Sequence, residues 1–382
     1  MQIPQSTRKT YIFLAVLALA SAFGLQGWRT LFNNFAVEIG RVDGLDMGII
    51  QSVREIPGFL ALLVVYLLRR IPEHRLAVLS VAVLGCSVAV AGIFPSLAGL
   101  TLTTLGMSFG FHYYETVNSS MTLQHFDRAT APLVAGRLRS FSAMGNLVVG
   151  GLIFLAAGLA GYAWIFAGVG VAVLLAALAC LRGDPRPAAA QPQELKMVLR
   201  RRYWLFYALT FFAGARRQIF VAFALFLMVQ RFGFTVREIT ALFVLNNLVN
   251  TGLGTFIGKA IARFGERKVL TLEYLNLVWI FLAYAYTDSK VVVAGLYILD
   301  HIFYNFAIAI RTYFQKIGDP AHMAPTMAVG FTINHIAAVV IPVAGGALWM
   351  LDYRIPFLAA AGLSCISLVL VQFIRVPDPA RK

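Results

Sequence analysis

Charge is scarce in this chain: Asp, Glu, Lys and Arg make up 13% of 382 residues, while apolar types make up 59% and mean hydropathy is +0.77. Soluble domains carry about 25% charged residues, so a water-soluble fold is excluded. Cysteine is also rare. Cys86, Cys180 and Cys365 lie singly in apolar runs, which excludes a thiolate metal site or disulfide framework and leaves them as small core hydrophobes. There is no Gly-rich phosphate loop with its lysine, no H-E-x-x-H and no nucleophile elbow, so direct ATP coupling and the familiar hydrolytic chemistries are excluded. No enzymatic activity and no cofactor are expected.

What is present is a series of apolar runs of membrane-crossing length, about 20 residues for a hydrocarbon core about 30 Å thick. The runs predict helices near 11–38, 46–68, 76–94, 97–124, 131–158, 161–181, 203–230, 238–258, 269–287, 290–315, 325–349 and 353–375. The first is too long for a signal-peptide core and lacks a small-residue cleavage site, so it counts as a span. The fold class is therefore an all-α polytopic membrane protein of twelve spans.

The net charge of +15 raises nucleic acid as a partner, and the distribution of the 32 basic residues argues against it. With the N-terminus inside, twenty basic residues fall in inner segments. Only Arg41, Arg231, Arg237, Lys290 and Arg354 fall in outer loops. That asymmetry predicts cytoplasmic termini and an even number of spans. The expected partners are a lipid bilayer, a small molecule and protons, with no nucleic acid.

The one long polar, Pro-rich stretch predicts a division into a bundle over 1–181, a cytoplasmic linker over 182–202 and a second bundle over 203–382. An internal repeat supports the division. Arg29-Thr-Leu-Phe-Asn-Asn-Phe35 recurs as Arg217-Gln-Ile-Phe-Val-Ala-Phe223, and Arg70-Ile-Pro-Glu-His-Arg75 as Arg263-Phe-Gly-Glu-Arg-Lys268. Ala131-Pro132 recurs as Ala324-Pro325, and Gly150-Gly151 as Gly345-Gly346, all in the same order at offsets of 188 to 195.

The segment Gly258-Lys-Ala-Ile-Ala-Arg263-Phe-Gly265-Glu-Arg267-Lys268 resembles the loop motif G-x-x-x-D-R-x-G-R-R/K of the major facilitator superfamily of secondary transporters. It keeps both glycines, Arg263 and the basic pair Arg267 and Lys268, and departs at Ala262 and Glu266. The first-half copy has Val65, Arg69 and Pro72 where Gly, Asp and Gly would stand. The resemblance implies two pseudo-symmetric six-helix bundles, alternating access by rocking of one against the other, a role for this loop in the cytoplasmic gate, and a monomer in a bacterial inner membrane.

Charged groups inside spans are costly and by default mark a substrate or ion path. Here they are Arg29, Arg54, Arg137, Arg139, Arg216, Arg217 and Arg311 against Glu55, Glu115, Glu273 and Asp300. Arg137, Arg139 and Arg311 lie toward the inner face, where snorkelling also accounts for them. Arg29 and Arg217 look like the pair of arginines that clamps phosphate from spans 1 and 7 in the organophosphate antiporters of that superfamily. A guanidinium fork suits carboxylate or phosphate oxygens. Arg29, Arg54, Arg216 and Arg217, with Tyr113, Tyr304, Asn305 and Asn334, are thus candidates to bind a small or amphipathic organic anion. The competing reading pairs Arg54 with Glu55 and turns Arg216 or Arg217 to helix-end carbonyls.

Spans 4 and 10 carry polar stripes, His112 with Glu115 and Asp300 with Tyr304. Glu55, Glu115, Asp300, His112, His301 and His335 are candidates for proton coupling, or for interhelical hydrogen bonding. Two alternatives stay open: drug or metal-ion transport through Glu115/His112 and Asp300/His301, and a receptor or scaffold that moves nothing.

Overall fold

The computed structural model describes residues 5–68, 70–126, 131–181, 199–318 and 323–375. The expected linker over 182–202 lies outside them except for its last residues, as do the inner-segment residues Arg69, Arg128, Arg182, Arg186 and Lys196. Among the described residues twelve helices follow in order: α1 Gln5–Glu38, α2 44–68, α3 Glu73–Ala91, α4 Leu97–His125, α5 Ala131–Ala156, α6 Tyr162–Cys180, α7 Trp204–Gln230, α8 236–264, α9 266–286, α10 Lys290–Ile317, α11 Met323–Leu351 and α12 Arg354–Leu370. Among the described residues nine helices are long and apolar enough to cross a membrane by length and composition. Of the other helices, α2 and α4 are diluted by polar residues such as Arg54, Glu55 and His112.

The chain forms two compact units. One holds the described residues of Met1–Val42, Val53–Gln193 and Phe234–Val244; the other holds those of Asp43–Ser52, Glu194–Gly233 and Leu245–Lys382. The grouping follows local packing. In the first unit the Asn34 side-chain amide donates to the Phe234 carbonyl at 2.7 Å. In the second, the Val343 N–H donates to Ser52 Oγ at 3.1 Å, and Gly48 lies against Gly346, a close approach open only to residues without a Cβ. The start of α2 and the start of α8 are thus grouped apart from the rest of their helices.

Within the first unit α1 packs on α5 and α6, and α3 packs on α4 and α6. Within the second, α7 packs on α11 and α12. The sequence repeat is therefore a repeat of packing, with α1 and α7 as the most buried spans of their units. Outward-facing side chains such as Leu155, Trp164, Trp279 and Val291 are large, apolar and exposed, the surface expected of helices solvated by lipid.

Three interruptions have identifiable causes. Pro57 lies inside α2, where it supplies no donor to the preceding turn, and a 3-10 turn follows at Leu60–Leu63. In α10 a 3-10 turn at Asn305–Ala307 coincides with the Asn305 amide donating to the His301 carbonyl at 2.7 Å, side-chain competition that bends helices. Between α8 and α9 the predicted ten-residue loop is a single residue, Gly265, with φ 78° and ψ 161°. Among the described residues nothing lies within 4 Å of a Cβ built there, so Gly265→Ala is expected to cost about 1–3 kcal/mol through backbone conformation. A thermal melt of the purified variant checks this; an unchanged midpoint contradicts it.

Candidate functional site

Each unit carries an open pocket with polar groups in a largely apolar wall. In the first, α1, α4 and α5 line about 700 Å³ with Arg29, Glu115, Arg139, Gln26, Asn118 and Asn146 among the wall residues. Arg29 is exposed in a stretch where Trp28, Thr30, Leu31 and Phe32 are all buried, so its helix face is dedicated to this space. Two guanidiniums against one carboxylate give the wall a positive balance.

In the second unit, α7, α10 and α11 line about 490 Å³ with Thr210, Tyr304, Asn305, Arg311 and Asn334 among the wall residues. The α10 break exposes Asn305, which also donates to Asn250 Oδ1 at 2.8 Å. Gly214 lets Asn334 approach the α7 backbone, since a Cβ there would collide with the Asn334 amide oxygen.

Arg217 lies beside this wall. Its guanidinium carbon is 4.3 Å from the centre of the Tyr304 ring and 5.0 Å from that of Phe220, and Nη1 is 3.4 Å from Asp300 Oδ2. Aromatic faces and one carboxylate hold a partly accessible cation in place. His301 rests against Phe220 and Tyr297, with Nδ1 2.9 Å from the Tyr297 carbonyl. His335 packs on Phe331.

The other arginines are held differently. Arg54 meets Glu55 through Nε at 3.2 Å and Nη2 at 2.7 Å, both groups nearly buried. Arg216 is buried, donates to Ser367 Oγ, lies 4.6 Å from the Tyr274 ring centre and has Nη2 3.9 Å from Glu273 Oε1. Tyr113 donates to the Leu60 carbonyl in the α2 break at 3.4 Å, and the His112 ring is 5.1 Å from that of Phe111. Glu115 and His112 belong to the first unit, Asp300 and His301 to the second, and among the described residues no group of three or more metal-ligating side chains gathers.

In the loop motif, Gly258 lies within α8 and Arg263 covers the Phe264 ring. Arg267 donates twice to Gln372, at 3.2 and 2.9 Å; Lys268 is exposed. Glu266, where the motif departs from its family, is buried and pairs with Lys316 at 2.6 Å. Sequence reasoning did not select Glu266, Glu273 or Ser367. The first two were visible as acids in or beside a span, whereas nothing marks Ser367 except its single turn of separation from Ser364.

Long apolar helices, a packing repeat and polar groups set in the walls of apolar bundles define a polytopic helical membrane protein of the transporter type. The sequence profile of the Major Facilitator Superfamily matches residues 6–324, and the chain belongs to that superfamily. Among solved structures it is similar to the nucleoside transporter NupG, at 16% identity and TM-score 0.77, covering 95% of this chain and 98% of that one. It is also similar to a bacterial homologue of the human lysosomal transporter Spinster in an inward-facing, occupied conformation, at 13% identity and TM-score 0.77, covering 99% and 100%. No curated protein matches the sequence.

Proposed function

We propose that this chain is a proton-coupled secondary transporter that moves a small or amphipathic organic anion by alternating access. Residues 1–181 would rock against 203–382 in a bacterial inner membrane, with both termini cytoplasmic and the chain a monomer. Membership of a transporter superfamily supports the class, and the charge asymmetry of the loops supports the sidedness.

The observation that carries the anion reading is the balance of each cavity wall, Arg29 and Arg139 against Glu115 in the first unit and Arg311 with no acid beside it in the wall of the second. Arg54 and Arg216 contribute less, since each has a buried carboxylate nearby. In the second unit Tyr304, Asn305 and Asn334 add hydrogen-bonding groups and an aromatic face to the wall that holds Arg311. Arg217 and Asp300 supply the coupling: an anion that takes over Arg217 leaves Asp300 as a buried carboxylate without its cation, an arrangement costly until a proton neutralises it.

Thermal shift with benzoate, glycerol phosphate and neutral uridine tests the reading. A ligand at a hundred times its Kd stabilises by about 2.7 kcal/mol. One of the anions is expected to raise the midpoint of the wild type, and Arg29→Ala with Arg139→Ala to remove that shift. Stabilisation by uridine alone, unaffected by the double substitution, would overturn the anion reading in favour of a neutral substrate.

A further inference from the structure

One carboxylate that neither cavity wall uses is Glu273. It lies on α9, its side chain is 0% exposed, and among the described residues neither oxygen accepts a hydrogen bond. A buried carboxylate without donors costs several kcal/mol, which is why such groups are normally hydrogen-bonded or neutral. One cation stands close, Arg216 of α7, and its geometry is off target. Nη2 is 3.9 Å from Glu273 Oε1, beyond hydrogen-bond reach, while Nη1 donates to Ser367 of α12. The other groups facing the position are Tyr274, under the Arg216 guanidinium, and the acid Asp300 of α10, itself engaged by Arg217. With Asp300 ionised, the two cations Arg216 and Arg217 face one full negative charge, and a second acid lacking any donor completes the cluster.

We infer that Glu273 is a proton-binding site of this transporter, neutral while Arg216 donates to Ser367 and ionised when the guanidinium turns from Ser367 to Glu273. The step is a plain proton exchange: the carboxylic O–H bond breaks, its proton leaves to water, and the carboxylate formed accepts the Arg216 N–H groups in place of Ser367 Oγ. Arg216 adjoins Arg217 on α7, so a shift of that turn on substrate arrival reaches both acids. The inference deepens the proposed function and rests on its proton coupling.

Infrared spectroscopy of the full-length protein in liposomes at pH 7 reads protonated carboxyl groups through their C=O stretch without any transported ligand. The expected spectrum has one such band that disappears in Glu273→Gln and moves in Glu273→Asp. Glu273→Gln is further expected to keep counterflow of labelled benzoate within about twofold of wild type. Its pH-driven accumulation should fall by the roughly tenfold per pH unit that each coupled proton supplies. A wild-type spectrum with no band sensitive to Glu273 overturns the inference, as does full pH-driven accumulation by Glu273→Gln. If Glu273→Gln does not fold, the Glu273→Asp spectrum decides alone, an unmoved band overturning it. An intact band in a protein that transports neither benzoate nor glycerol phosphate supports the proton site and counts against the anion reading, so the two fail separately.

Discussion

Replacing Gly170 with leucine is expected to abolish recovery of folded protein, whereas Gly168→Leu, two residues earlier on the same helix, is expected to be tolerated. Gly170 is where α6 meets α3. A Cβ there would stand 2.5 Å from Ala89 Cα and crowd the Ala89 amide, main-chain atoms that cannot step aside as a side-chain tip can. The approach is mutual. Gly85 of α3 faces the Gly170 carbonyl, where a Cβ would be at 3.0 Å, and Gly110 of α4 faces α3 from another side, with a Cβ at 2.5 Å from Leu84 N and Ser80 O. Without a hydrophobic drive between helices in lipid, small residues that admit backbones to van der Waals contact hold such bundles together. Overpacking a tight interior costs about 1–3 kcal/mol and more when backbone must move; leucine adds four carbons at a point already closed to one. Gly168 has nothing within 4 Å of a built Cβ. Detergent extraction followed by size-exclusion chromatography and a thermal melt separates the two variants, and equal behaviour would show that the α3–α6 contact does not hold the first unit together.

The contact of α3 with α6 was invisible in the sequence, although the helices that make it were plain. Apolar runs bounded by charge and Gly/Pro place helices because lipid demands about 20 apolar residues whatever packs against them. Breaks inside a span have no such signature. The α2 interruption has a local cause in Pro57, but the α10 turn depends on an asparagine side chain finding its own helix and Asn250, a tertiary event. The motif segment 258–268 was read as a loop for its charges and glycines; helix runs through almost all of it, and Gly265 alone makes the turn. Among charges, composition gives the inventory and not the partners. Arg216 and Arg217 are neighbours in sequence, yet successive helical side chains diverge by about 100°, so one is buried toward Ser367 and Glu273 while the other reaches Asp300 and Tyr304. Arg54 and Glu55, which adjacent helical positions do not ordinarily bring face to face, meet because an arginine side chain is long enough to turn back.

Arg217→Ala is expected to lower stability by about 3–5 kcal/mol and to remove the anion-induced thermal shift, and a second substitution at Asp300 separates these effects. Asp300 is buried, its side chain 3% exposed, while Arg217 at 22% remains reachable. Taking away the guanidinium strands the carboxylate, and it is the stranded charge, not the lost attraction, that makes breaking one side of a buried pair so expensive. Removing both charges in Arg217→Met with Asp300→Asn avoids that cost, so the melting midpoint should return close to wild type. In a double-mutant cycle the non-additivity then reports the buried pair. Ligand binding should not return, because a thioether has none of the forked donors that meet carboxylate or phosphate oxygens. Arg217→Lys is the sharper variant: it keeps the charge beside Asp300 and the stability with it, but offers a point ammonium in place of a planar fork stacked on Tyr304. A lysine variant that is stable yet loses most of the anion shift places Arg217 in recognition. Recovery of the full shift by the neutral double variant would leave Arg217 a purely structural partner of Asp300 and count against a role for it in recognition.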